Sequence, residues 1–270
     1  VAHRWRDWKV GGHGAVNLHR SLVISCDTYY YGLGNDLGID NIYNFISQFG
    51  YGQLTGIDIP GERPGLLPSQ EWKQKRFKQK WFAGDTISVS IGQGYNLATP
   101  LQLALSTAIL ANGGIVYKPH LVRHIQDPRT GALQAVVPQP LKIVPLTQKW
   151  VDLVKKAMVD VVKPGGTAAV SGQGAAYTYG GKTGTAQVIA IKQNERYDAS
   201  KINERHRDHA LFIAFAPAEN PRIALGILVE NGGSGSGTAA PIARTVIDYY
   251  LLGKVPANMP DLNPDTEAND

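Results

Sequence analysis

Near the end of the chain two β-rich runs, Ala210–Phe215 and Ile223–Val229, are joined by a short link built on Ala216-Pro-Ala-Glu-Asn-Pro221. A parallel pair needs a crossover of about a dozen residues or more, so this link predicts a hairpin and an antiparallel sheet. Weak alternation over Lys182–Ile191 predicts a third strand. The charged stretch Lys192–His209 is too long for a tight turn and reads as a projecting loop, and Ala239–Leu252 reads as a closing helix. Upstream the pattern is helical. Leu18–Ile24 is one segment, and Thr28–Leu37 is a second, with Asp27 placed to cap its start and Gly38 just past its end. Asp40 is placed to cap a third, Asn41–Phe49, which stops at Gly50. Residues 50–86 are rich in Gly and Pro and read as irregular. Thr99-Pro100-Leu-Gln102 then supplies an N-cap, a proline at the first helical position and a capping-box glutamine. That helix runs to Ala111 and ends at Asn112-Gly113-Gly114; a further helix, Gln148–Val162, carries Val151, Val154, Met158 and Val161 on one face. Helices, then antiparallel strands, then a terminal helix predict an α+β fold with helices packed on an antiparallel sheet.

At 270 residues and 43% hydrophobic content the chain has ample material for a core. No run of about 18 apolar residues is present to span a bilayer, and no secretory signal pattern opens the chain. The opening VAHRWRDWKVGGHG does not read as a domain start but as the interior of something longer. A single cysteine, Cys26, excludes an internal disulfide and any multi-cysteine metal cage. Net charge is +5, although residues 256–270 hold Asp261, Asp265, Glu267 and Asp270 with no Lys or Arg. This Pro- and Asn-rich tail reads as disordered, leaving residues 1–255 as the folded unit and a more basic body. A solvated basic face explains that excess, with an anionic partner as the alternative.

The sharpest chemical signal is Gly180-Gly181-Lys182-Thr183-Gly184-Thr185-Ala186. On a strand, Lys182 supplies charge, Thr183 and Thr185 supply short donors, and Gly184 lets another backbone come close, so the segment suits a carboxylate. Alone the tetrapeptide is weak. Lys-Thr-Gly belongs, however, to the motif set of the serine penicillin-recognising enzymes, together with Ser-x-x-Lys and Ser-Asp-Asn. Ser25-Cys26-Asp27 stands between two helices where the middle element belongs. With Phe49–Glu62, Gly92-Gln-Gly94, Thr99-Pro100-Leu-Gln102 and Phe212–Pro217, the chain resembles the transpeptidase domain of class B penicillin-binding proteins from Trp5 to Gly253. Arg6-Asp7-Trp8-Lys9, Glu71–Phe77, Gly84-Asp85-Thr86 and Arg207-Asp208-His209 resemble its elongation branch in Gram-negative rods.

The resemblance implies a penicillin-recognising (β-lactamase-like) transpeptidase fold and a D,D-transpeptidase. Such an enzyme cross-links peptidoglycan stem peptides at D-Ala-D-Ala during elongation and rod-shape maintenance, and is acylated by β-lactams. It implies that Ser25 relays a proton, that Lys182 sets the ionisation states, and that Thr183, Gly184 and Thr185 hold the substrate carboxylate. The Thr185 N–H would be half of the oxyanion hole. Asp27 stands where the wider family has asparagine; a carboxylate accepts hydrogen bonds but donates no amide one, and capping the following helix is its other reading. It also implies the periplasmic face of the inner membrane, an N-terminal anchoring helix outside this chain, a glycan polymerase as partner through N-terminal regions, and no nucleic acid. No serine here has a lysine three residues on, so the nucleophile is expected upstream and this chain alone is expected not to acylate.

Asp7, His13 and Cys26 are zinc-ligand types in a Gly-rich setting, although their spacing matches no recognised finger and a free cysteine is more commonly a small buried hydrophobe. The resemblance implies a structural zinc behind the Ser25 motif, with a further Asp from the missing segment. Two rivals stand beside the transpeptidase reading: a zinc-dependent hydrolase on Asp7, His13 and Cys26, and a non-catalytic module that binds peptide carboxylates on the Lys182 strand. His3, His19, His206 and His209 read as solvated surface residues. The run Lys73–Lys80, five basic residues in eight with Phe77 inside, also reads as solvated, with anionic envelope polymers as the alternative.

Overall fold

A computed structural model describes residues 4–189 and 202–256. His3, the first part of the charged loop and the acidic tail from Ala257 lie outside the described residues. The predicted hairpin forms the heart of the molecule. β5 (Gly180–Ala186), β6 (His209–Ala216) and β7 (Ile223–Val229) make one antiparallel sheet in the order β5-β6-β7, with Lys182 opposite Ile213 and Ile213 opposite Gly226.

β6 is apolar at nearly every position because both of its faces are covered. Ala210, Phe212, Ala214 and Ala216 point into a core with Ala240, Ala243 and Ile247 of α8 (Ala240–Leu252). Phe215 points the other way, to Met158 of α6 (Gln148–Val161) and Ala111 of α5 (Pro100–Ala111). Glycine makes the fit possible. A Cβ at Gly180 or Gly181 would stand 2.5 or 2.3 Å from the rings of Phe215 and Phe212, and one at Gly226 would stand 2.7 Å from Pro100 O, where α5 crosses the sheet.

α5 begins as expected, with Thr99 and Gln102 forming the capping box. Gln102 does more than cap. It is fully buried, and its Nε2 donates to the carbonyls of Gly50, Gln53 and Pro64 at 2.7–3.2 Å, fastening the Gly- and Pro-rich segment to the helix.

Four expectations fail locally. α2 spans Asp27–Ile46 with a non-helical break at Gly38 (φ 74°), so the two expected helices meet without a link, and Asp40 accepts from Gln70 Nε2 at 2.7 Å instead of capping. The stretch read as irregular contains α3 (Gln70–Phe77), capped by Ser69, and α4 (Ala83–Val89). Lys73 is 2% exposed, not solvated; it is ion-paired with Asp85 beneath the Phe82, Tyr95 and Trp81 rings. Two small antiparallel pairs, β1 (Ile115–Tyr117) with β4 (Pro140–Ile143) and, between them in sequence, the hairpin β2 (His124–Gln126) with β3 (Leu133–Ala135), were not foreseen. α1 (Leu18–Val23) precedes α2, and the short α7 (Ala169–Gly172) precedes β5.

Replacing the buried Gln102 with leucine deprives the carbonyls of Gly50, Gln53 and Pro64 of their shared donor. Urea unfolding is expected to show a loss of about 2–4 kcal/mol with the fold otherwise retained.

Candidate active site

The turn between α1 and α2 is Ile24-Ser25-Cys26. Ser25 takes φ 54°, a left-handed conformation that costs a non-glycine residue about 1 kcal/mol or more. The turn is held from several sides. Cys26 N donates to Ser21 O at 2.9 Å, Trp8 Nε1 donates to Ser25 O at 2.8 Å, and Thr167 N donates to Val23 O at 3.2 Å. In this pose Ser25 Oγ accepts a hydrogen bond from Lys182 Nζ of β5. Lys182 also donates to Thr183 O at 3.0 Å, and Thr183 Oγ1 lies 3.2 Å from Thr167 Oγ1.

The Lys182 ammonium is set deep among protein atoms, and this desolvation lowers its pKa to about 8 against the opposing pull of Asp27. Burial pushes Asp27 up to about 6; the Trp8 N–H, which donates to its Oδ2 at 3.1 Å, works against the rise, and Asp7 adds to it. Thr185, the outermost of the motif residues, is exposed on the edge strand, and its carbonyl accepts from Gln93 Nε2 at 2.7 Å.

Behind the turn the chain folds over itself. Cys26 is 1% exposed, and its Sγ donates to Asp7 Oδ2 at 3.3 Å. His13 Nδ1 lies 3.0 Å from Asp7 Oδ1, yet it is buried without any contact of hydrogen-bond geometry. Ligand atoms of Asp7, His13 and Cys26 all fall within 4.8 Å of one another, the only such group among the described residues. Burial favours the protonated Asp7, but hydrogen bonds from Lys9 N, Cys26 and Thr28, with the His13 imidazole close by, outweigh it and hold the carboxyl below its ordinary range.

A family model, penicillin binding protein transpeptidase domain, matches residues 1–248. The chain belongs to this family. It is 45% identical over 254 residues to peptidoglycan D,D-transpeptidase MrdA of Acinetobacter baumannii, covering 93% of this chain and 37% of that protein. Against MrdA of Escherichia coli it is 43% identical over 266 residues, covering 98% and 42%. The structure of Pseudomonas aeruginosa PBP2 in complex with WCK 5153 superposes with a TM-score of 0.79 at 42% identity, over 95% of this chain and 55% of that one. The chain thus spans about two fifths of the length of these curated relatives.

Within the penicillin-binding transpeptidase fold, the expected Ser25, Lys182 and Thr183 come together at one point, and Asp7, His13 and Cys26 at another just behind it. The N-cap of α2 is Cys26, and Asp27 receives the Trp8 N–H instead of capping the helix. His19, expected at the surface, is half-buried against Asp160 at 3.0 Å, while His209 Nδ1 accepts from Asn231 N and His206 is exposed. Sequence reasoning did not foresee the roles of Trp8, Gln93 and Thr167. Only Gln93 left a signal, its two flanking glycines, which both take positive φ.

Because Lys182 titrates at about 8 when folded and near 10.5 when exposed, the unfolded chain holds its proton over the interval between. Burying the ammonium therefore opposes folding below pH 8, and this opposition lifts as pH rises towards 10.5. Thermal unfolding of Lys182→Met is expected to lack the stability gain that the unsubstituted chain shows across that window.

Proposed function

We propose that this chain carries the substrate-binding and proton-handling part of a peptidoglycan D,D-transpeptidase. Such an enzyme attacks the D-Ala-D-Ala bond of a stem peptide through an acyl-serine and passes the acyl group to a neighbouring amine. The Lys182–Ser25 hydrogen bond carries this reading. An ammonium donating to Ser25 Oγ occupies an oxygen lone pair, so the hydroxyl proton is free to point elsewhere, towards a leaving amine. Thr183, Gly184 and Thr185 on the open strand edge receive the terminal carboxylate, and the Thr185 N–H supports the oxyanion. Asp27 holds the turn through Trp8 and tunes Lys182. The nucleophilic Ser-x-x-Lys pair is assigned to the part of the relatives that this chain does not cover. There too belong the membrane anchor at the periplasmic face and the contacts with a glycan polymerase; no helix among the described residues is long and apolar enough to cross a membrane. Relatives have been solved as a Helicobacter pylori PBP2–MreC complex and in a peptidoglycan synthase complex that coordinates polymerization and crosslinking, which supports an elongation-machinery role.

Labelling of the full-length protein with fluorescent penicillin tests this. Lys182→Met and Ser25→Ala are expected to slow acylation by about 10²-fold or more. Labelling at wild-type rates in both would defeat the assignment.

We also propose that Asp7, His13 and Cys26 hold a structural zinc ion. Carboxylate, imidazole and thiolate form a borderline-soft donor set, and a buried imidazole nitrogen without a hydrogen bond fits a ligand position. The Asp7 and His13 side chains are only 2% and 5% exposed, which suits a structural site and speaks against the zinc-dependent hydrolase. Bound metal would fix the rear of the Ser25 turn. Purified protein is expected to contain equimolar zinc, and Cys26→Ser to lose it with a lower Tm; a metal-free protein of unchanged Tm would refute the site.

A further inference from the structure

β5 is an edge strand of its sheet, so among the described residues one side of its backbone faces no other strand. Carbonyls two residues apart point to the same side, which groups Thr183 O with Thr185 O. Side chains occupy both: Lys182 Nζ on Thr183 O at 3.0 Å and Gln93 Nε2 on Thr185 O at 2.7 Å. Gln93 reaches over from the loop between α4 and α5. Its own backbone is fixed, with Gln93 N donating to Ser88 O at 3.0 Å and Gly92 N to Val89 O at 2.9 Å. Its side chain borders a cavity of about 400 Å³ lined also by Trp5, Tyr31, Ser88, Gly94 and Val188.

An extended peptide added to a strand edge forms pairs in which one residue exchanges both its N–H and its C=O with the residue opposite. The inference rests on the proposed role of the Thr185 N–H as an oxyanion donor. If the scissile carbonyl sits there, the N–H of the same residue, the penultimate D-Ala, requires Thr185 O. On this outward side that acceptor already carries the Gln93 hydrogen bond. We infer that Gln93 is a positioning residue that acts as a displaceable latch: it holds Thr185 O in the free protein, yields it to the donor peptide's amide, and turns into the adjoining cavity.

Calorimetric titration of the chain with diacetyl-Lys-D-Ala-D-Ala, and with the same peptide N-methylated at the penultimate D-Ala, tests the latch. In Gln93→Met, which keeps length but loses the donor, the N–H peptide is expected to bind about three- to tenfold more tightly, the worth of one exchanged hydrogen bond. The N-methyl peptide should be unaffected, and Gln93→Ala should repeat the pattern. Equal shifts for both peptides, no shift, or weaker binding of the N–H peptide would overturn the latch alone. If neither peptide binds the unsubstituted chain, the substrate reading fails and the latch falls with it.

Discussion

An ammonium group inside a protein keeps its charge only where oxygens close around it. Lys182 meets that demand with Ser25 Oγ from one part of the chain and Thr183 O from its own strand. This requirement ties the α1–α2 turn to the edge of the sheet across 157 residues of sequence. The depressed pKa is its electrostatic signature, since burial acts on the ammonium more strongly than Asp27 relieves it.

A serine in a left-handed turn does not hold its conformation unaided. The structure supplies support on both sides. In front stands Lys182; behind stand Trp8, which ties down both the Ser25 carbonyl and Asp27, and the Asp7 carboxylate, which gathers Cys26 and Thr28. Adjacent side chains diverge, so presenting Ser25 to the cleft turns Cys26 inward, to 1% exposure. The rear cluster and the front motif are therefore consequences of one backbone turn, and a metal held by the first would stiffen the second without touching substrate.

The sequence carried the sheet, the capping box of α5 and the motif residues, because each rests on local pattern or on a short string of chemistry. What escaped it was non-local. α3 was hidden by a lysine-rich composition that suggests solvent, yet Lys73 pairs with Asp85, twelve residues on, beneath the rings of Phe82 and Tyr95. The strands β1–β4 have three or four residues each, and β2, β3 and β4 are exposed throughout, so no alternation marks them. Asp27 looked like a cap because its neighbours spell one. A tryptophan backbone nineteen residues earlier claims it instead. Gln93 and Thr167 act through contacts that only the folded chain creates.

The two sides of β5 have opposite requirements. Towards the core, Gly180 and Gly181 are pressed beneath the rings of Phe215 and Phe212 so closely that no side chain fits, which leaves the strand little room to shift. Close-packed interiors transmit displacement rather than absorb it. At the outer end the same strand presents Gly184, against whose backbone Gly235 packs so tightly that a Cβ there would lie 2.4–2.5 Å from Leu211 O and Gly184 O. A rigid strand with a fixed outer edge is the arrangement in which a single side chain can exchange with a ligand amide at constant geometry. The backbone acceptor stays where it is, and only its donor changes. Preorganisation of this kind confines reorganisation to one glutamine side chain, so little of the binding energy is diverted into moving the sheet.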